Sequence, residues 1–249
     1  MNISFQKQLD KEQAKKLRRE CFQKEIPLHI RLIEIIGDDE NNEFLTNPPA
    51  QNCYLYLVDY VTTFAARWFG KDVSQINVLD WGCGKGHITF LLKEKSVIVT
   101  SADRLDDSDD SAFGQSTPII NQAKIEVVGL EHDYLLPFLD NSFDVVISMG
   151  VLEHVPNDLK SLQEIYRVLK KNGLFFCFFL PYQFSWTQQL QHLLGNYYHD
   201  RLYTETHIHS LLAKSSFGLI DIWHRQLFPK NRARYKNYHI IRWNVLING

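Results

Sequence analysis

The spacing of hydrophobic and polar positions changes several times along the chain, and each change marks a different kind of element. From Lys7 to Arg19 the residues are polar, lysine-rich helix formers, and Leu28 to Ile36 adds aliphatics at mixed spacing, so a helical N-terminal region is predicted. Glu40 to Gln51 holds an Asn pair and Pro48-Pro49, which predicts a loop, because consecutive prolines remove two backbone donors and hold the preceding residues extended. A longer helix is predicted from about Cys53 to Phe69. There Leu57, Val61, Phe64, Ala65 and Trp68 recur at helical spacing, and Gly70 stands where a C-terminal cap belongs. Residues 1–70 thus read as a helical extension that caps whatever follows.

From Ile76 onward short aliphatic runs alternate with helical stretches, the pattern of βαβ units and a doubly wound, mostly parallel sheet. Strands are predicted at Asn77–Leu79, Val97–Ala102, Lys124–Val128, Phe143–Ser148 and Leu174–Leu180. Between the last two, Asn157 or Asp158 can cap a helix whose stripe is Leu159, Leu162, Ile165, Tyr166 and Leu169, with Lys170, Lys171 and Gly173 at its end. Asp106 to Pro118 has neither period and carries four aspartates, so it reads as an extended loop. After Pro181 an aromatic segment leads to a helix near Glu205–Lys214. Two β-like runs follow, Leu219–Phe228 and Tyr238–Ile247, which would pair antiparallel at the sheet's end. The expectation is one α/β domain, residues 71–249, with a seven-stranded sheet and a cap-like insertion at about 182–204.

Composition narrows the functional classes. With 249 residues, 45% of them hydrophobic and 22% charged, the chain is an ordinary globular one, long enough for a real core. A net charge of -2 gives no overall attraction to nucleic acid or to an anionic membrane, so nucleic-acid binding is disfavoured. Cys21, Cys53, Cys83 and Cys177 are scattered without CxxC spacing, which fits a reducing compartment. The charged N-terminus has no apolar segment of the secretory type. The longest strongly apolar run, Gly173 to Pro181, is far below the ~20 residues a membrane-spanning helix requires. A soluble, cytoplasmic protein with no membrane partner is expected, and nothing in the pattern signals an oligomeric state.

The chemistry concentrates at Val78 to Thr89, reading VLDWGCGKGHIT. A buried strand is predicted to end at Asp80, and Gly82, Gly84 and Gly86 open into a helix from His87. Glycines at such a turn let the backbone approach a ligand closely. Asp80 stands immediately before the turn, where it can accept from a cationic amine. The next strand, VIVTSAD, ends in Asp103, 23 residues further on and near the offset at which a strand-end acid grips ribose hydroxyls. A dinucleotide dehydrogenase is the rival, but its fingerprint is GxGxxG, whereas here the run is GCGKG behind an acid that would repel a pyrophosphate. A zwitterionic cofactor without phosphate fits better.

With these residues in place the sequence resembles the class I S-adenosylmethionine-dependent methyltransferases of the small-molecule type, whose fold is Rossmann-like. The segment from Gly129 to Pro181, GLEHDYLLPFLDNSFDVVISMGVLEHVPNDLKSLQEIYRVLKKNGLFFCFFLP, is similar to the family's downstream blocks in order and spacing. The resemblance covers about Val78 to Pro181. It implies S-adenosylmethionine as cofactor, with Asp80 and the backbone at Gly82, Cys83, Gly84 and Gly86 holding the methionine moiety. Asp103 would bind the ribose hydroxyls, flanked by Arg104. His132, Asp133 and Tyr134 fall where the family recognises adenine, and Ser148 and Met149 would line the cofactor near the sulfonium.

Because the sulfonium already activates the methyl group, the protein has chiefly to align the acceptor and exclude water. A base is needed only for an acceptor that must lose a proton. His154, in the Glu153-His154 pair after the fourth strand, is the first candidate, as base or as pocket residue, and His199 is the second. Metal-assisted relatives place an acid three residues before this pair; Gly150 stands there instead, and no Cys/His spacing replaces it, so no metal is expected. Methyltransferases acting on planar amines carry Asn or Asp, Pro, Pro and an aromatic after the fourth strand. This chain has Ser148-Met149-Gly150 there, and Asn47-Pro48-Pro49, the sole NPP run, reads as a turn. Tyr182, Phe184 and Trp186, with Tyr197, Tyr198 and Arg201, either wall an apolar or aromatic acceptor pocket or pack as a cap on the sheet. Transfer to a small-molecule oxygen is the favoured reading. The alternatives are an RNA-modifying enzyme using the basic tail, Arg225, Lys230, Arg232, Arg234, Lys236 and Arg242, as a phosphate track, and a non-catalytic cofactor-binding partner protein.

Overall fold

The structure is a computed structural model that describes residues 9–37, 43–104, 117–132, 134–185, 193, 195, 201–226 and 241–248. Its helices are α1 (Lys11–Gln23), α2 (Ile30–Ile36), α3 (Glu43–Thr46), α4 (Pro48–Phe69), α5 (His87–Glu94), α6 (Pro118–Gln122), α7 (Asp158–Val168) and α8 (Glu205–Lys214). Its strands are β1 (Asn77–Trp81), β2 (Ile98–Asp103), β3 (Val127–Gly129), β4 (Phe143–Met149), β5 (Leu169–Pro181), β6 (Gly218–Gln226) and β7 (Ile241–Asn248).

Seven strands form one sheet in the order β3-β2-β1-β4-β5-β7-β6. The five strands β1 to β5 are parallel neighbours, and β7 pairs antiparallel with both β5 and β6, so the parallel part is five strands and not the whole sheet. The chain winds outward from β1 to β3, then returns to place β4 on the other side of β1. Their carboxyl ends therefore diverge at the β1/β4 boundary, the topological switch point where ligands enter open sheets of this kind. Two hydrophobic layers cover the faces. Val78, Val145, Ile147, Phe176 and Phe178 pack with α1, α2, α4, α5 and α6, and Leu79, Trp81, Val146 and Phe175 pack with α7 and α8. The N-terminal helices share their core with the sheet: Tyr60 and Phe64 of α4 each meet Phe176 edge-on at about 6 Å.

Several boundaries differ from the sequence reading. Pro48 and Pro49 do not make a turn but occupy the first two positions of α4, where a helix has no use for the amide a proline lacks, so α4 starts five residues before Cys53. Asp10 caps α1 through the Gln13 amide, with Gln13 returning the bond, and the helix runs on to Gln23. The helix α7 stops at Val168 and β5 begins at once, so Leu169 to Gly173 are strand residues; Lys170 is held there by Asp144 at 2.9 Å. The predicted strand Lys124–Val128 begins only at Val127, since Lys124 has a φ of 49°, outside the extended region. Of the acidic loop, residues 105–116 lie outside the described ones, while Thr117 caps the short α6.

Candidate functional site

The strand β1 extends one residue past Asp80, and the glycine turn that follows is built from β2. The amides of Gly82 and Cys83 both donate to the Ala102 carbonyl, at 2.8 and 3.2 Å, so these two groups serve the turn and are not ligand donors. Gly82 has a φ of 73°, and a Cβ there would overlap the methyl groups of Val151, which closes in from the segment after β4. Gly86, with a φ of 77°, opens α5, and its missing Cβ leaves room for Ile120.

Two carboxylates flank this turn. Asp103, at the end of β2, accepts from the Gly84 amide on one oxygen and from the Arg104 amide, at 2.8 Å, on the other; each oxygen keeps a lone pair for a ligand hydroxyl. Burial raises its pKa and the two amide bonds partly offset that rise. Asp80 lies beneath the turn, 2% exposed, and accepts from the Thr89 hydroxyl at 2.7 Å. Burial pushes its pKa up to about 7, and the charge of Asp103 adds to the rise. Together they push up the Cys83 thiol, already raised by its own burial, so Cys83 is an inert core residue.

Above the strand ends opens a cleft. Asp103, Arg104, His132, Tyr134 and His154 line it, with a floor and walls of Trp81, Leu130, Leu136, Val151 and Val155. His132 is fixed in orientation, since its Nδ1 accepts from the amides of Tyr134 and Leu135 at 3.3 and 3.2 Å, leaving Nε2–H as the donor of the neutral ring. The Tyr134 ring meets His132 edge-on at 4.5 Å and carries the Lys160 ammonium over its face at 4.6 Å. His154 stands at the rim, its side chain 51% exposed, with Nε2 3.9 Å from Oε1 of the buried Glu153. A ribose-and-base ligand with a cationic end fits this set: hydroxyl acceptors at Asp103, an apolar slot with one oriented donor at His132, and the buried Asp80 carboxylate beneath the adjoining turn.

The other sequence candidates fall elsewhere. Ser148 is fully buried on the α7 face of β4 and Met149 packs into the opposite core, so neither lines this cleft. Tyr182 and Phe184 meet edge-on at 5.6 Å, with Phe184 62% exposed, and both stand apart from the cleft. Asp133, Trp186, Tyr197, Tyr198 and His199 lie outside the described residues, as do Lys230, Arg232, Arg234 and Lys236 of the basic tail. Among the described residues no cluster of His, Cys, Asp or Glu could hold a metal ion, and no helix is long and apolar enough to cross a membrane. The cleft's apolar lining at Trp81, Leu130, Leu136 and Val151 was missed in the sequence; the signal was present at Trp81, next to Asp80 and on the other face of the strand.

Residues 79–177 match the methyltransferase domain family, and that span runs from β1 through β5, the strands whose ends frame the cleft. Over residues 79–177 the chain thus carries a methyltransferase domain, and its fold is that of S-adenosylmethionine-dependent methyltransferases. A ubiquinone biosynthesis O-methyltransferase of Rickettsia bellii is 31% identical over 107 residues, which is 42% of each chain. That of Haemophilus ducreyi is 32% identical over 123 residues, covering 47% of this chain and 49% of the relative. The matches thus span about half or less of these curated relatives. The solved structure of a methyltransferase from Thermotoga maritima superposes with a TM-score of 0.59 at 15% identity, covering 88% of this chain and 99% of that one. One from Methanosarcina mazei gives 0.54 at 18% identity, covering 70% and 92%. The methyltransferase domain's cofactor is S-adenosylmethionine, and the cleft geometry described above suits it.

Proposed function

We propose that this protein transfers the methyl group of S-adenosylmethionine to a hydroxyl oxygen of a small-molecule acceptor. The observation that carries the reading is the cleft itself, where Asp103, His132, Tyr134 and His154 converge from three separate strand ends. On this reading residues 71–249 are the methyltransferase domain and residues 1–70 its helical cap. Asp103 holds the ribose hydroxyls, Tyr134 and the Leu130–Leu136 slot take the adenine, His132 donates through Nε2, and the charge of Asp80 favours the ammonium end from beneath the turn. The cofactor supplies an activated methyl group; the protein's own task is to hold the acceptor oxygen in line and keep water out. Oxygen is preferred because Ser148-Met149-Gly150 replaces the motif that serves planar amines, and because the His154 imidazole, beside the Glu153 carboxylate, can take a hydroxyl proton at the cleft rim. The ubiquinone-pathway names of the relatives favour an acceptor with aromatic hydroxyls.

Incubation with methyl-labelled cofactor and a panel of phenols and catechols, followed by mass spectrometry, is expected to show an acceptor gaining one methyl on oxygen. Label found on RNA or on no acceptor class would overturn the assignment. Within the cofactor half, Asp103→Ala removes the charged acceptor of the ribose hydroxyls. Calorimetry should find S-adenosylhomocysteine bound more weakly by roughly 1.5–3 kcal/mol. A loss within error would take Asp103 out of the ribose role.

A further inference from the structure

The segment that leaves β5 and the one that enters α8 are joined at their base. Gln183 donates its amide to the Tyr203 carbonyl at 3.0 Å, and Tyr203 donates to the Pro181 carbonyl at 2.8 Å. From this base Arg201, which the sequence left open between pocket wall and cap, turns toward the segment after β4. Its Nη1 donates to the carbonyls of Leu152 and Val155, at 3.2 and 3.0 Å, and its Nη2 to that of Pro156 at 3.3 Å, while Nε lies 3.5 Å from the Asp158 carboxylate. Tyr203, fully buried, adds its hydroxyl to the Leu152 carbonyl at 3.0 Å, and burial keeps that hydroxyl protonated as a donor. The His207 ring stacks on Tyr203 at 5.3 Å and holds it in place.

The gripped segment is one wall of the cleft, since Val151, His154, Val155 and Pro156 all line it together with Asp103 and Arg104. It belongs to no helix or strand, so its carbonyls have no ladder to bond to and their partners decide its shape. A guanidinium can serve several carbonyls at once from a fixed plane, which an ammonium cannot. Neither Arg201 nor Tyr203 reaches the cleft. We propose that Arg201, supported by Tyr203, is a positioning residue that sets the 151–156 wall of the cofactor cleft and ties it to the base of the segment following β5. The inference rests on the reading that this cleft takes S-adenosylmethionine.

The test is calorimetric titration of wild type, Arg201→Ala, Arg201→Lys and Tyr203→Phe with S-adenosylhomocysteine and with methylthioadenosine, which lacks the amino-acid end. Melting of each protein without ligand accompanies the titrations. Because the wall faces the nucleoside, Arg201→Ala should weaken both ligands by the same factor, about tenfold. Arg201→Lys should recover part of the loss and Tyr203→Phe should show a smaller one. A lowered melting temperature with both affinities within twofold of wild type would overturn the proposal, because a purely structural residue has that signature. If Arg201→Ala does not fold, the lysine and phenylalanine variants decide by the same criterion. Failure of wild type itself to bind either ligand would instead sink the cofactor assignment.

Discussion

Replacing His154 with alanine is expected to lower methyl transfer to a hydroxyl acceptor by about 10²–10⁴-fold, the usual contribution of a positioned base. The imidazole is the group at the cleft rim able to take a proton there, and the buried Glu153 carboxylate, 3.9 Å from its Nε2, favours the charged ring that results. Since the base acts as the acceptor oxygen attacks, the loss should fall on kcat more than on cofactor affinity, which should stay within a few-fold. A variant that turns over within a few-fold of wild type would leave alignment as the whole of catalysis.

The second large effect is expected at the turn. In Gly82→Ala the new methyl meets the Val151 side chain, and the backbone stays at a φ of 73° that disfavours any Cβ. Overpacking and left-handed strain each cost about 1–3 kcal/mol, and relief of either moves the turn away from β2 or pushes Val151 out of the cleft wall. Calorimetry should show S-adenosylhomocysteine affinity falling at least about thirtyfold, near 2 kcal/mol. Adding Val151→Ala removes the two closest overlaps but leaves a tight contact to its Cβ and the strain, so the double variant should recover only part of the binding. Full recovery would mean that the φ value carries no cost, and unchanged binding in Gly82→Ala would mean that the turn does not shape the site.

The parts of this molecule that could be read from sequence are those fixed by local chemistry. The run of Gly82, Gly84 and Gly86 behind a short aliphatic strand marks a βα turn because other residues resist those torsions, and Asp103 ends the next strand as expected. The helix of Leu162 and Ile165 was legible from its stripe and its Asn157 cap. What was not legible depends on contacts across the fold. Pro48-Pro49 reads equally as a loop or as the start of a helix, and the choice is made by α4 burying Leu57 and Phe64 against the sheet. Ser148 and Met149 share the end of β4, but the pleat sends them into opposite cores, and only the placement of both layers shows that neither reaches the cleft. The sequence leaves Arg201 open between pocket wall and cap because its partners, three backbone carbonyls about 45 to 49 residues away, leave no mark in it.

Titration of the wild-type protein with S-adenosylhomocysteine at two pH values tests the central claim most directly, since it needs no acceptor. Asp80 has a pKa raised by burial to about 7, and its ionised form is the one that favours the ligand's ammonium group. The sign follows: acidification neutralises Asp80 and weakens binding. The same raised value makes the unliganded fold less stable as pH climbs from about 4 toward 7, so the ligand should also stabilise the protein more at the higher pH. Binding in the micromolar range, about -8 kcal/mol, is expected at pH 8, weakening by up to about tenfold at pH 6. Folded protein giving no heat at either pH would contradict the account.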